Sequence, residues 1–425
     1  MSYWKARFFT VWAGQIFFVF GSGLVSFSLI WWLTEKTGST SVMAVSTFFT
    51  LIPNIALGPF AGALVDRFKR KNVMIAAGSS IALLTLFLML LFYTETIQPW
   101  LIIMVMFLRE TGVTFNSQSM TATTALMVPE HHLSRVNGMN QTISGIQRIA
   151  APLSGALLIS ILPVHTVLSL DIAAMALTVT PLLIIPIPSP AKKPLAAESA
   201  GRLQSFWDEV KEGLRYVWSW KALFWVVTTC TFANVFLGPS FSFQPLVVTQ
   251  VFGGGALELS HVNTAAGIGI ITGGLLMSAW KGFKRRLFTS AAGWIGIGAA
   301  YMGASVIPPD NFFLFLVMIF IFGFMLPVGG APITAFYQSC VPPDKQGRVF
   351  GVIGSLDGAT IPLGLLIAFI LGDILPLRTW YFLAGFSHVA LGVIWLFIPF
   401  IRKAEDELGD IRESAEYKDL LFGEE

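Results

Sequence analysis

Five charged side chains lie well inside long apolar stretches of this sequence, and they are the residues most suited to chemistry. They are Arg109, Glu110, Arg148, Asp171 and Asp357. A charged residue at the centre of a bilayer-spanning helix costs about 2.5 to 3.5 kcal/mol on the insertion scale, so residues of this kind usually mark ion or proton pathways, or pair with one another. Carboxylates close to guanidinium groups can bind and release protons, and we predict a proton-coupling role for all five.

The depth of these residues predicts which of them meet. At about 1.5 Å per helical residue, Arg109, Glu110 and Arg148 come near the middle of their predicted spans. Asp171 lies nearer the outer end of its span and Asp357 nearer the inner end of another. We predict that Glu110 carries the proton. The alternative is that Glu110 forms a permanently ionised structural pair with Arg109 or Arg148.

The elements that position these charges are membrane-spanning helices. Of the 425 residues, 55% are hydrophobic and only 12% are charged, and the mean hydropathy is +0.72; soluble domains carry about 25% charged residues. The apolar runs are continuous and close to the roughly 20 residues that a spanning helix needs, whereas the residues of barrel strands alternate. We predict twelve spans, at 8–33, 41–65, 73–93, 98–121, 138–161, 165–187, 222–250, 260–280, 287–307, 312–338, 350–372 and 377–400.

The distribution of basic residues predicts the orientation in the membrane. With both termini in the cytoplasm, most of the 27 lysines and arginines fall on the inner side, and the outer side holds only Lys36, in a predicted loop, and Arg378, at the outer end of the last predicted span. This is the positive-inside pattern. We therefore expect a multi-pass protein of the plasma membrane, whose basic segments contact lipid and do not bind nucleic acid.

An internal repeat divides the chain into two similar halves. The segment FKRK at 68–71 recurs as FKRR at 283–286, and the pattern VP-x5-RV at 128–136 recurs at 341–349. Each repeat holds six predicted spans, so the halves have the same orientation. We predict a six-helix bundle at 1–187, a cytoplasmic linker with an amphipathic helix at 188–221, a second bundle at 222–400 and a cytoplasmic tail at 401–425.

Two parallel bundles imply a solute cavity, and an apolar lining with few polar groups suits a drug-sized organic ligand. Prolines inside the spans also predict interrupted helices that allow bending during transport. These prolines are Pro53, Pro59, Pro152, Pro239, Pro327 and Pro362. The polar span residues that we predict to line the cavity are Gln15, Asn54, Asn116, Gln118, Gln141, Asn234 and Gln244.

The segment GALVDRFKRK at 62–71 resembles the signature between spans two and three of the major facilitator superfamily, Gly-x-Leu-x-Asp-Arg-x-Gly-Arg-Lys, with Lys69 at the second glycine. The resemblance covers the whole chain in layout. It implies two six-helix halves and a cytoplasmic gate that holds the outward-open state. The alternative is a basic anchor that only fixes topology. The matching gate residues are Gly62, Asp66, Arg67, Arg70 and Lys71.

Within that superfamily, the segments at 12–15, 33–39, 107–112 and 209–218 resemble the macrolide-efflux branch of drug:proton antiporters. Span five carries APLSG at 151–155, which is similar to the antiporter pattern Gly-Pro-x-x-Gly. The resemblance implies proton-driven multidrug efflux by alternating access, and with it antibiotic resistance. The alternatives are an ion-coupled uptake symporter, or a non-transporting receptor or passive lipid conduit.

The sequence lacks the motifs that ATP-driven transporters and metal-binding proteins require. It has no Gly-x-x-x-x-Gly-Lys-Ser/Thr loop for ATP phosphates. Its two cysteines, Cys230 and Cys340, have no metal-ligand spacing. We therefore expect no enzyme activity, no cofactor and no metal, and we expect a monomer whose partners are a small solute, protons and the lipid bilayer.

Overall fold

The structure is a computed structural model that describes residues 3–187, 211–280, 282–283, 285–341 and 346–399. Every regular element within these residues is helical. The first half contains six long helices: α1 Tyr3–Thr37, α2 Thr40–Arg67, α3 Arg70–Tyr93, α4 Pro99–Met127, α5 Glu130–Ile161 and α6 Val164–Ile184. Each of them coincides with one predicted span, and α1, α4 and α5 continue for several residues beyond the apolar run.

The second half has the same series of long helices, but its first span is divided. That span consists of α7 Lys221–Asn234, α8 Leu237–Ser242 and α9 Gln244–Leu246, followed by a π-helical turn at Val247–Val251. The remaining helices are α10 Ala256–Ala279, α11 Arg286–Val306, α12 Phe312–Cys340, α13 Gln346–Leu371 and α14 Leu377–Phe397. The predicted all-α membrane class is confirmed. In the part of the chain that the structure describes, nine helices are long and apolar enough to cross a membrane.

Proline interrupts a helix at one of the six predicted positions. The break between α7 and α8 falls at Val235, four residues before Pro239, where the proline ring clashes with a carbonyl and removes a hydrogen bond. The prediction of interruption is wrong for the other five prolines, because α2, α5, α12 and α13 run through them without a gap. Neighbouring helices and side chains in a membrane protein can satisfy the carbonyls that such prolines leave free.

The chain forms two compact units. Within the described residues, unit 1 comprises 3–187, Ser242–Thr264 and Leu365–Leu375, and unit 2 comprises the described parts of 211–241, 265–364 and 376–399. In unit 1, α1 packs on α5 and α6, and α3 packs on α4 and α6. In unit 2, α11 packs between α12 and α14. The predicted division into bundles at 1–187 and 222–400 remains a prediction.

The predicted amphipathic linker helix lies only partly within the described residues. Residues 211–219 are helical, with Val217 buried and Trp218 largely exposed. The preceding residues of the predicted helix, 203–210, and the predicted tail at 401–425 lie outside the described residues.

Candidate functional site

A buried ion pair joins α4 to α6 in unit 1. Arg109 Nη1 lies 2.8 Å from Asp171 Oδ2, and the two side chains are only 4% and 0% exposed. The hydroxyl of Thr85, on α3, lies 2.8 Å from the same carboxylate oxygen and also contacts the Arg109 guanidinium. Three helices thus contribute one charged or polar group each to a closed cluster.

The lengths of the side chains explain why this pair forms although its two residues start at different depths. Arg109 is ten residues after the start of α4 and Asp171 is seven after the start of α6. At about 1.5 Å per residue the offset is roughly 4 to 5 Å, a distance that the long arginine side chain spans. The sequence predicted both residues as site candidates but not their pairing.

Helix α1 packs closely against the Asp171 carboxylate at Gly21. A Cβ atom at Gly21 would lie 2.9 Å from Asp171 Oδ1 and 2.9 Å from the Ala174 side chain. Asp171 Oδ1 has no hydrogen-bond partner within the described residues. Gly21 therefore allows the α1 backbone to approach a buried carboxylate so closely that no larger side chain fits between them.

Glu110, the residue after Arg109, has a different environment. Its carboxylate lies near Ser26 of α1, and its side chain is only partly buried. Arg109 forms its ion pair with Asp171 and not with Glu110. The side chain of Arg148, the other predicted partner, lies outside the described side chains.

Two of the predicted cavity residues meet in unit 1. Asn116 Nδ2 donates to Gln15 Oε1 at 2.6 Å, and the two residues are 2% and 7% exposed. The remaining polar atoms of these two amides have no partner in the described part of the chain. Each amide can therefore make further hydrogen bonds to a solute or to water if the helices separate.

The other predicted cavity residues are dispersed. Asn54 is exposed on α2 and Gln118 is half-buried on α4. Gln244 is half-buried in unit 1 and Asn234 is half-buried in unit 2, while the side chain of Gln141 is outside the described set.

Asp357 lies in unit 2, beside groups from two other helices. Its carboxylate lies near Thr231 on α7, and Cys230 and Tyr337 are close enough to interact with it electrostatically. A residue that we did not select from the sequence is His388, which is fully buried on α14 and packs near Trp294, with ring centroids 5.4 Å apart and ring planes tilted by 48°. Its signal was the position of an ionisable residue inside an apolar run, the same signal that identified the five charged candidates.

The gate motif is described for only part of its residues. Arg70 Nη1 donates to the Ala122 carbonyl at 2.7 Å, and Lys71 Nζ donates to the Leu183 carbonyl at 2.9 Å. Lys71 thereby satisfies a carbonyl of the last turn of α6, which has no partner within the helix. Lys69 has φ −63° and ψ 114°, which any L-residue adopts, so this turn does not require the usual glycine.

The side chains of the remaining gate residues, Gly62, Asp66 and Arg67, lie outside the described side chains, although all three residues belong to α2. Among the residues that the structure does describe, no group of three or more His, Cys, Asp or Glu side chains is arranged to hold a metal ion.

Proteins that resemble this chain over nearly their whole length are transporters. Macrolide efflux protein A of Streptococcus pyogenes is 28% identical over 406 residues, which cover 95% of this chain and 98% of that protein. The multidrug efflux pump Tap of Mycolicibacterium fortuitum is 24% identical over 401 residues, covering 91% and 94%.

Solved structures with the same fold are also transporters. A D-xylose-proton symporter matches with a TM-score of 0.66 at 13% identity, covering 94% of this chain and 99% of that one. A peptide transporter in complex with alafosfalin matches with a TM-score of 0.68 at 12% identity and covers 96% of both chains. The family model of the Major Facilitator Superfamily matches residues 11–364. The chain therefore belongs to the Major Facilitator Superfamily, and it is a multi-pass membrane transporter and not an enzyme.

Proposed function

We propose that this transporter exports a small amphipathic organic compound of the macrolide or drug class by proton antiport. The resemblance to macrolide efflux protein A and to the pump Tap supports the substrate class and the direction. The distribution of lysine and arginine supports a plasma-membrane location with both termini in the cytoplasm. Alternating access between the two repeats moves the solute.

The observation that carries this proposal is the pair of carboxylates around Arg109. Asp171 is fully buried and forms an ion pair with Arg109, so its charge is neutralised within the protein and its side chain is not exposed to water. Glu110 does not form this ion pair with Arg109 and is only partly buried. A proton carrier must reach water on each side of the membrane in turn, and Glu110 meets that requirement better than Asp171.

The two neighbouring residues of α4 then have different roles. Arg109 and Asp171 fix the positions of α3, α4 and α6, which supports the helix that carries Glu110. Glu110 takes up a proton from one side and releases it on the other as the solute moves in the opposite direction. Arg148 and Asp357 are the remaining candidates for the proton path.

Gln15 and Asn116 are the leading candidates for solute contact. Their single mutual hydrogen bond leaves a donor on Gln15 and an acceptor on Asn116. A buried polar atom without a partner costs about 1 to 3 kcal/mol, so a solute that offers the complementary groups recovers that free energy. The gate residues Asp66 and Arg67 complete the proposal as the cytoplasmic latch.

Proton release on addition of solute tests the role of Glu110. Purified wild-type protein, Glu110→Gln and the loop control Glu95→Gln are reconstituted into vesicles with a trapped pH dye, and erythromycin is added. We expect the dye signal in the wild type and the control, and its loss in Glu110→Gln. A wild-type signal in Glu110→Gln would remove Glu110 as the carrier, and a proton flux in the same direction as the solute would indicate uptake symport.

A further inference from the structure

The loop between α13 and α14 binds the first turn of α2, within unit 1. Asp373 Oδ1 accepts a hydrogen bond from Thr40 Oγ1 at 2.5 Å, and Asp373 Oδ2 accepts one from Ser41 Oγ at 2.5 Å. The backbone amides of Thr40 and Ser41 lie 3.2 and 3.4 Å from Oδ1, and Ser39 Oγ lies 3.5 Å from it. One carboxylate thus binds five donors of a helix start that is more than 300 residues distant in the sequence.

Elementary electrostatics favours this contact, although Asp373 itself is exposed to solvent. The first amides of a helix have no partner within the helix, and they carry the positive end of the helix dipole. A carboxylate placed there acts as an N-cap, and hydrogen bonds to an ionised acceptor are roughly twice as strong as those between neutral groups. The hydrogen bonds from Ser41 and Thr40 lower the pKa of Asp373 below its usual value, so the carboxylate is ionised at neutral pH.

Other contacts at the same end of α2 are between neutral groups. Gln250 Nε2 donates to the Gly38 carbonyl at 2.7 Å. Ser242 Oγ donates to the Met43 carbonyl at 2.8 Å and lies 2.8 Å from Thr47 Oγ1. Segments from the second repeat therefore hold the start of α2 at several points, and in the described part of this contact Asp373 supplies the charge.

A close approach at the neighbouring glycine supports the same arrangement. A Cβ atom at Gly372 would lie 2.7 Å from Thr40 Oγ1. The loop therefore packs directly on the first turn of α2, and Asp373 is held at hydrogen-bond distance by backbone packing as well as by its own bonds.

We propose that Asp373 is a carboxylate latch that closes the outer end of the transporter, by holding the start of α2 against the second-repeat segments at 242–250 and 369–373. Opening to the outside requires these contacts to break. This inference rests on the alternating-access function and on the orientation proposed above, which places the α1–α2 and α13–α14 loops outside.

Thiol labelling of the buried contact tests the latch. Ser242 is 6% exposed, and Ser242→Cys reports opening when the native cysteines are replaced by Cys230→Ala and Cys340→Ala. Intact cells are treated with a membrane-impermeant maleimide. We expect slow labelling with the native Asp373 and about tenfold faster labelling with Asp373→Asn, because the loss of the charge weakens the closed state.

Controls separate the latch from other effects. Asp310→Asn changes an exposed aspartate in the α11–α12 loop, on the same predicted side, and should leave the labelling rate unchanged. If Asp373→Asn fails to reach the membrane, Ser41→Ala removes one donor and should accelerate labelling in the same direction by a smaller factor.

An equal rate in Asp373→Asn, or equal acceleration by Asp310→Asn, would overturn the latch. Erythromycin transport is measured in parallel on the same variants. Faster labelling in Asp373→Asn together with no transport in the wild type would leave the latch standing and refute the proposed function.

Discussion

Breaking the Arg109–Asp171 pair should destabilise the protein strongly, and the loss should be larger when Asp171 is replaced than when Arg109 is replaced. Asp171→Asn preserves the side-chain shape but leaves the Arg109 guanidinium, only 4% exposed, without its ion-pair partner. Arginine does not lose its proton in proteins, so this charge cannot be neutralised. Removing one partner of a buried ion pair costs about 3 to 5 kcal/mol, and we expect a loss of that size.

The opposite single change should cost less. In Arg109→Met, the remaining carboxyl of Asp171 can bind a proton and become neutral while keeping its hydrogen bond with Thr85. Buried ion pairs can be replaced by apolar pairs of similar volume at little cost. The double variant Arg109→Met/Asp171→Leu should therefore recover most of the stability that Asp171→Asn loses.

Thermal unfolding in detergent, followed by tryptophan fluorescence, provides the measurement. The expected order of Tm is wild type, then the double variant, then Arg109→Met, then Asp171→Asn. A Tm for Asp171→Asn equal to that of the wild type, or a double variant no more stable than Asp171→Asn, would refute the assignment of this pair as a closed structural clamp.

Three further predictions concern close packing and pH. Gly364→Ala should lower the free energy of unfolding by about 1 to 3 kcal/mol, because the added Cβ would collide with the Val235 carbonyl. The control Gly358→Ala should be nearly neutral, because no atom lies within 4 Å of its added Cβ. Thermal unfolding of both variants checks this difference. Gly21→Ala should cost a similar amount, since its Cβ would lie 2.9 Å from the buried carboxylate, and a Tm equal to that of the wild type would contradict that packing. Because the pKa of Asp373 is lowered, its carboxylate stabilises the closed state fully at a pH above the usual aspartate pKa of about 3.9. This stabilisation is lost as the pH falls through the lowered pKa. The hydroxyls and amides of α2 that contact it do not titrate. Because maleimide reacts with the thiolate, whose fraction itself changes with pH, the labelling rate of Ser242→Cys is divided by that of an exposed reference cysteine. This ratio should be constant from about pH 5 to about pH 8 and rise only below about pH 4; a change in the ratio near pH 6 would contradict the latch as described.

The positions of the helices were predictable because hydrophobicity is a local signal. The predicted spans at 73–93 and 165–187 correspond to α3 Arg70–Tyr93 and α6 Val164–Ile184. The residues that the predicted spans omit are polar helix ends. Helix α5, for example, begins at Glu130, eight residues before its predicted span, because its first turns are polar and carry no apolar signal.

The contacts between helices were not predictable from one sequence. Arg109 and Asp171 were each identified from the cost of burying a charge, but their pairing depends on how α4 and α6 are rotated about their axes. Asp373 was missed because it lies in a polar loop, where an aspartate is ordinary. Only the three-dimensional structure shows that this aspartate contacts Thr40.

The central claim, export of a macrolide-like compound in exchange for protons, is tested most directly with inverted membrane vesicles. Radiolabelled erythromycin is added to vesicles that contain the transporter, with and without a pH gradient that is acidic in the lumen. Export by proton antiport predicts accumulation in the lumen that requires the gradient and collapses when a protonophore is added. Accumulation of equal extent without the gradient, or no accumulation in its presence, would contradict export by proton antiport.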